Sequence, residues 1–134
     1  KQKKLFIGNL YSKRDWGHAK DYVVAMWKIL QQKQPDDFVI ATGENYSIKQ
    51  FIIIVSKKLN LKIKWVGKGL NEKGIDENEN VIIECKKKYF RPLEVDTLLG
   101  DSKKARKILS WKPKYNINSL IDEMISFEIK NLNE

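Results

Sequence analysis

The sequence is poor in the residues that hold metal ions and form covalent cross-links, with one cysteine and one histidine. Structural zinc sites need several such ligands, so no metal centre is predicted. The lone Cys85 cannot form an internal disulfide, which favours a reducing intracellular compartment, and we expect the cytoplasm. A nucleophilic serine or cysteine would need a base, and His18 is the single histidine that could serve. A triad built on His18 is kept as an alternative.

Long apolar runs are missing as well. The longest, residues 51–55, is far shorter than the ~20 residues that cross a membrane. Residues 1–4 are basic but only three apolar residues follow them, so no signal peptide is predicted. The chain has 134 residues, the size of one domain, and its 42% of hydrophobic residues is ordinary for a globular protein.

Positive charge is in excess, with 26 basic and 17 acidic residues and a formal charge of +9. Such a charge is compatible with a nucleic-acid partner. However, the lysine runs at 86–88 and 103–107 are short and interrupted by apolar residues, and no RNA-binding aromatic signature accompanies them. We favour lysine-rich solvated faces with no nucleic-acid and no membrane partner. A basic module that binds RNA or acidic partners is kept as the alternative.

Hydrophobic spacing predicts alternating strands and helices, and hence a mixed α/β or α+β fold. Strands are expected at residues 5–7, 38–40, 62–66 and 81–83. Helices are expected at about 18–32, 47–59, 101–109 and from 116 onward. Ser47 and Gln50 have the spacing of a capping box, and Asp101 and Asn116 are predicted helix caps. Residues 67–80 are polar and contain glycine, so a surface loop is expected there.

Apolar side chains recur at helical spacing in the first, second and last of these helices. In the first helix one face carries Val23, Met26, Trp27 and Leu30. From these stripes we expect four side chains to be buried, namely Trp27, Phe51, Val55 and Met124.

Two catalytic signatures are missing from the sequence. Gly67-Lys68-Gly69 lacks the third glycine of a dinucleotide fingerprint and lies in a polar stretch. No Tyr-x-x-x-Lys pair occurs, because none of the five tyrosines has a lysine four residues later. We therefore predict no catalytic and no cofactor-binding residues within this chain.

Two arginine-centred clusters remain as candidate binding elements. Arg14 precedes a predicted helix start, and Arg91 precedes Pro92, which holds it extended. The planar guanidinium suits phosphate oxygens, and Glu94 follows Arg91 closely enough to face the same space. The alternatives are surface ion pairs: Arg14 with a neighbouring aspartate, and Arg91 with Glu94.

These clusters carry a family resemblance. Arg-Asp-Trp-Gly-His-Ala-Lys-Asp-Tyr-Val at 14–23 is similar to the signature of GDP-mannose 4,6-dehydratases. So are Pro-Asp-Asp-Phe-Val-Ile-Ala-Thr-Gly at 35–43, Tyr-Phe-Arg-Pro-Leu-Glu-Val-Asp at 89–96 and Trp-Lys-Pro at 111–113. The match extends over almost the whole chain, whereas other nucleotide-sugar epimerases and dehydratases share a looser form of it.

The resemblance implies an extended short-chain dehydrogenase/reductase. In that family an N-terminal Rossmann domain holds NADP and the catalytic residues, and a smaller C-terminal domain binds GDP. Because the chain begins almost at a strand, we expect residues 1–134 to be the C-terminal nucleotide-sugar-binding portion, without the N-terminal domain. The catalytic residues are accordingly expected upstream of Lys1. By resemblance, Arg14 and Arg91 bind the diphosphate and Glu94 binds the ribose hydroxyls.

The implied reaction converts GDP-mannose to GDP-4-keto-6-deoxymannose, the first step towards GDP-fucose. The full-length enzyme is expected to be a homo-oligomer, and this chain alone is expected to be inactive. Another GDP-sugar epimerase or reductase of the same superfamily is the nearest alternative.

Overall fold

A computed structural model of the chain describes residues 3–132. The described residues form two compact units, residues 3–13 with 47–97 and residues 14–46 with 98–132. The helices and strands, in chain order, are β1 Leu5–Ile7, β2 Lys13–Arg14, α1 Ala19–Leu30, β3 Tyr46–Ser47, α2 Ile48–Lys58, β4 Lys64–Val66, β5 Lys73–Ile75, β6 Val81–Cys85, α3 Lys103–Ile108 and α4 Ile117–Leu132. Single-turn 3-10 helices occupy Gly69–Asn71 and Lys87–Tyr89. The predicted mixed α/β character is confirmed.

One prediction from the sequence concerns the position of the catalytic residues. Lys1, upstream of which the catalytic residues are expected, lies outside the described residues. That placement of the catalytic residues therefore stays a prediction, and the structural description begins at residue 3.

The first unit is a four-stranded sheet with one helix. The strand order is β1-β6-β5-β4, in which β1 and β6 are parallel and the other pairs are antiparallel. Leu10, Ile83 and Cys85 form the buried core, and Ile48 and Ile52 of α2 pack against it. This arrangement places the start of α2 beside residues 10–13, which matters for the candidate site.

Helix α2 begins as the sequence predicts. The Ser47 hydroxyl accepts a hydrogen bond from the Gln50 backbone N–H at 3.1 Å, and the Gln50 side chain accepts one from the Ser47 N–H at 2.8 Å. These reciprocal bonds satisfy two of the donors that every helix start leaves unpaired. The capping box is therefore confirmed.

The surface loop predicted at residues 67–80 is wrong for residues 73–75. Strand β5 lies there, between β4 and β6, and a turn at residues 76–80 connects it to β6. Its sequence, Lys-Gly-Ile, shows little strand character. Gly74 is favoured because a side-chain carbon at that position would lie 3.0 Å from Ile63 and 3.1 Å from Ile83. Close packing of neighbouring strands, rather than local propensity, makes this segment a strand.

The second unit packs α1 and α3 around Trp111. Its buried core is Ala25, Ala105, Leu109 and Trp111, with Tyr22, Ile29, Phe38 and Ile40 half-buried against it. Residues 38–40 contribute to this core but carry no strand assignment, so the strand expected there is wrong. Strands need a hydrogen-bonded partner, and none pairs with this segment within residues 3–132.

The predicted buried face of α1 is also wrong. Trp27 is 61% exposed, and Val23, Met26 and Leu30 are exposed with it. The helix is instead buried through Asp21 and Ala25, since the small Ala25 allows close approach. Met124 on α4 is 50% exposed, and Phe51 and Val55 on α2 are half-buried rather than buried.

The last two helices begin close to their predicted caps. The N-cap residue of α3 is Ser102 rather than Asp101, although the Asp101 carboxylate accepts a hydrogen bond from the Lys103 N–H at 3.0 Å. The Asn116 side chain accepts hydrogen bonds from the N–H groups of Asn118 and Ser119, which confirms that cap. Within residues 3–132, no helix has both the length and the apolar character that a bilayer crossing requires.

Candidate functional site

The second arginine cluster lies in a turn of the first unit. The Glu94 backbone N–H donates to the Arg91 carbonyl at 3.2 Å, so the two residues share one turn after the 3-10 helix Lys87–Tyr89. Arg91 is exposed, and Glu94 is half-buried. Gly8 makes the approach of this segment possible, since a side-chain carbon there would lie 2.0 Å from the Tyr89 carbonyl oxygen.

The segment that leads to Arg14 is bound to this turn and to α2. The Lys13 N–H donates to the Asp96 carbonyl at 2.7 Å, and the Ser12 hydroxyl lies 3.5 Å from the Glu94 carboxylate. On the other side, the N–H groups of Ile48 and Lys49 at the start of α2 donate to the carbonyls of Ser12 and Leu10. Residues 10–13 are therefore held between the helix start and the Glu94 turn.

The first arginine cluster continues into the second unit. Asp15 accepts hydrogen bonds from the Thr42 N–H at 3.0 Å, the Thr42 hydroxyl at 2.7 Å and the Gly43 N–H at 2.9 Å. The Trp16 indole donates to the Tyr46 carbonyl at 3.2 Å. These bonds fix the two residues that follow Arg14. Arg14 itself is half-buried, and its convergence with Arg91 on one pocket stays a prediction.

The contacts of His18 are those of a structural residue rather than of a catalytic base. It is buried at the start of α1, where its Nδ1 accepts a hydrogen bond from the Lys20 N–H at 3.1 Å. Its Nε2 lies 3.2 Å from the Glu123 carboxylate, and its ring stacks on Tyr115 at 4.2 Å. Both ring nitrogens are engaged, so the geometry offers no support for a nucleophilic triad.

Sequence reasoning did not single out Arg106. Its guanidinium donates to the Thr42 carbonyl at 2.9 Å and to the Ser102 hydroxyl at 3.2 Å, and it lines a cavity of about 380 Å³ with Gly43 and Asp101. The Lys103 N–H hydrogen bond and ion pair lower the pKa of Asp101. Arg106 thus joins α3 to residues 42–43. The only sequence signal for it was its spacing of one helical turn after Ser102.

The Gly67–Gly69 segment does not have the geometry of a dinucleotide-binding loop. Gly67 and Gly69 follow β4 and lead into the three-residue 3-10 helix Gly69–Asn71, not into the longer helix that cradles a pyrophosphate. Gly67 adopts a φ of 80°, and a side-chain carbon there would lie 2.5 Å from the Asn71 carbonyl oxygen. These glycines serve the turn after β4.

Comparison with solved structures defines the class of fold. The chain resembles part of the dTDP-glucose 4,6-dehydratase from Bacillus anthracis in complex with NAD, with a TM-score of 0.73 at 18% identity, over 96% of this chain and 35% of that one. It also resembles UDP-glucose 4-epimerase from Bifidobacterium longum in complex with NAD⁺ and UDP, with a TM-score of 0.72 at 18% identity, over 98% and 36% of the two chains. The fold of this chain is thus one that forms part of nucleotide-sugar 4-epimerase and 4,6-dehydratase structures.

Sequence comparison narrows this class to one family. The model of the family "GDP-mannose 4,6 dehydratase" matches residues 1–124, and the chain belongs to that family. It is 46% identical over 128 residues to GDP-mannose 4,6 dehydratase 2 of Caenorhabditis elegans, covering 96% of this chain and 34% of that protein. It is 41% identical over 140 residues to a Vibrio cholerae GDP-mannose 4,6-dehydratase, covering 96% and 38%. The chain thus spans about a third of the length of the relatives it matches.

Proposed function

We propose that this chain is the C-terminal, GDP-sugar-binding portion of a GDP-mannose 4,6-dehydratase. The observation that carries the proposal is the family match over residues 1–124 together with the turn that places Arg91 beside Glu94. Proteins of that name act on GDP-mannose. In the complete enzyme the product is GDP-4-keto-6-deoxymannose, the precursor of GDP-fucose.

Each proposed contact follows from the chemistry of the ligand. A diphosphate offers several anionic oxygens, and the guanidinium groups of Arg91 and Arg14 can each bind them through paired, charge-assisted hydrogen bonds. Ribose hydroxyls are donors that suit the Glu94 carboxylate. The exposure of Arg91 leaves its guanidinium accessible to such a ligand.

We further propose that catalysis needs residues beyond this chain, upstream of Lys1. NADP and the catalytic residues belong to a separate N-terminal Rossmann domain in this scheme, because the sequence has neither a glycine-rich fingerprint nor a Tyr-x-x-x-Lys pair. The complete enzyme is proposed to be a homo-oligomer and to act in the cytoplasm.

Calorimetric titration of the chain with GDP tests the proposal. We expect GDP to bind and Arg91→Ala to weaken binding ~10–100-fold, because each hydrogen bond to a charged group contributes roughly 1.5–3 kcal/mol. Lys88→Ala is the matched control, since it removes one exposed positive charge from the neighbouring 3-10 helix. Equal losses in the two variants, or no GDP binding by the unmodified chain, would refute the proposed site.

A further inference from the structure

A buried carboxylate in the first unit has no part in the proposed ligand contacts. The Glu72 side chain is 3% exposed, and one of its oxygens accepts a hydrogen bond from the Tyr11 hydroxyl at 2.5 Å while the other binds the Lys49 ammonium. Its main chain is fixed too, because its N–H donates to Gly69 and its carbonyl accepts from Cys85. Both carboxylate oxygens and both main-chain polar groups of Glu72 are thus hydrogen-bonded.

Lys49, which pairs with Glu72, lies in the first turn of α2. Its ammonium lies 4.8 Å from the centre of the Trp65 ring and 5.7 Å from that of Tyr11, so both rings add to its stabilisation. Its backbone N–H donates to the Leu10 carbonyl at 2.9 Å. Leu10 is therefore held by the main chain of Lys49 and Tyr11 by its own hydroxyl, and the side chains of Lys49 and Tyr11 both bind the buried Glu72 carboxylate.

The opposite edge of this segment contacts the Glu94 turn. The hydrogen bond from the Lys13 N–H to the Asp96 carbonyl and the Ser12–Glu94 contact both start within two residues of Tyr11. Lys13 also forms a parallel bridge with Thr97. A continuous series of contacts therefore leads from Glu72 through Tyr11 to the carboxylate of Glu94.

We infer that Glu72, through Tyr11 and Lys49, is a positioning residue that fixes residues 10–13 and thereby the Glu94 turn for the ribose of a bound nucleotide. The inference rests on the proposed function for the role of Glu94. Stability alone is a poor reason for such a network, because a buried ion pair is often no more stabilising than well-packed apolar residues. A fixed orientation of residues 10–13 is what apolar residues at these positions would not provide.

Tyr11→Phe is the variant of choice for a test, because it removes one hydroxyl and leaves the Lys49–Glu72 pair in place. We expect amide hydrogen exchange at Lys13 to accelerate about 3–10-fold, in line with the loss of one hydrogen bond that supports the segment. The GDP dissociation constant should rise by a similar ~3–10-fold. Glu72→Gln should have at least these effects. Lys49→Arg keeps the cation beside Glu72, so this variant should retain most of the GDP binding and of the slow Lys13 exchange of the unmodified chain.

Two controls separate positioning from general destabilisation. Glu77→Gln removes an exposed carboxylate that pairs with Lys62 in the same unit. Ile52→Val removes one methyl group from a residue that packs against the unit's core but takes no part in the hydrogen bonds of the Glu72 network, so it lowers stability without removing any of those bonds. Both controls should leave GDP binding and Lys13 exchange unchanged.

The outcomes distinguish this inference from the proposed function. If Tyr11→Phe changes neither Lys13 exchange nor GDP binding, or if Ile52→Val changes both as strongly, Glu72 is structural only and the inference is overturned. If the unmodified chain does not bind GDP, the proposed function fails, and unaltered Lys13 exchange in Tyr11→Phe would independently overturn the link between Glu72 and residues 10–13.

Discussion

The indole N–H of Trp111 donates to the backbone carbonyl of Asp21 across 2.9 Å. The Asp21 carboxylate in turn accepts hydrogen bonds from the N–H groups of Lys114 at 2.9 Å and Tyr115 at 3.0 Å. One residue in the first turn of α1 therefore binds the segment that connects α3 to α4. Because both Trp111 and Asp21 are buried, these bonds form away from solvent and specify how the helices of the second unit pack.

The first prediction concerns two tryptophans of the second unit that differ in burial. Trp111 is 2% exposed and Trp27 is 61% exposed. Trp111→Ala should lower the free energy of unfolding by about 3–5 kcal/mol, since it leaves a cavity and an unpaired Asp21 carbonyl. Trp27→Ala should change it by no more than about 0.5 kcal/mol. Urea denaturation of both variants measures the difference, and equal losses would show that the assignment of the core is wrong.

Features whose cause lies within a few residues along the chain could be predicted from the sequence, and features that depend on distant residues could not. The Ser47–Gln50 capping box involves residues three apart, and the sequence therefore predicted it correctly. The capping role of Asn116 was predictable for the same reason. By contrast, β5 is a strand because β4 and β6 pair with it on both sides, and its own residues carry little of that information.

The apolar stripe of α1 shows a second reason why a prediction from the sequence was wrong. Periodicity identifies an apolar face but does not say what covers it. Trp27 and Leu30 belong to such a face and are exposed, while the neighbouring Ala25 is fully buried. Of the candidate site, the closeness of Arg91 and Glu94 followed from their three-residue spacing. The buried contacts of Glu72 with Tyr11 and Lys49 did not, because these residues are far apart in the sequence.

The second prediction is a pH dependence that arises from Glu72. Burial raises the pKa of this carboxyl, but the hydrogen bonds from Lys49 and Tyr11 outweigh burial, so its pKa is lowered from 4.5. The hydrogen bond to Glu72 also raises the pKa of Lys49 above 10.5. Folding therefore favours both charged forms. The stability they contribute is present between the two ordinary pKa values and is lost as the pH falls below 4.5 or rises above 10.5.

Comparison of the chain with its Glu72→Gln variant measures this effect. The variant should be about 1–3 kcal/mol less stable at neutral pH, because it leaves the Lys49 ammonium without its anionic partner. Urea midpoints measured at about pH 7 and about pH 3 should converge on acidification. A stability difference that is the same at both pH values would contradict the ionised state of Glu72.

The third prediction is that this chain alone does not dehydrate GDP-mannose. The sequence supplies neither a phosphate-cradling glycine loop for a hydride acceptor nor a Tyr-x-x-x-Lys pair. Incubation of the purified chain with NADP and GDP-mannose, with the 4-keto product followed by chromatography, should show no turnover above a blank without protein. Turnover within the ordinary enzymatic range of ~1–1000 per second would refute the prediction.

The last prediction is that Arg14 and Arg91 bind one diphosphate together. If both guanidinium groups contact the same ligand, the effects of removing them should not add. We expect each alanine variant to weaken GDP binding ~10–100-fold, and the double variant to differ from the sum of the two by about 0.5–3 kcal/mol. Arg91→Lys should recover part of the loss, because lysine restores the charge but not the planar pair of donors.

Salt dependence of the same titrations separates this site from a basic surface that binds RNA. A two-arginine site should lose little GDP affinity between low and moderate salt and should prefer GDP over other nucleotides. An RNA-binding surface would lose affinity steeply, with a slope set by the number of phosphates contacted. Strict additivity of the two arginine variants, combined with a steep salt slope and tight RNA binding, would leave the arginines as separate surface charges and favour the RNA-binding alternative.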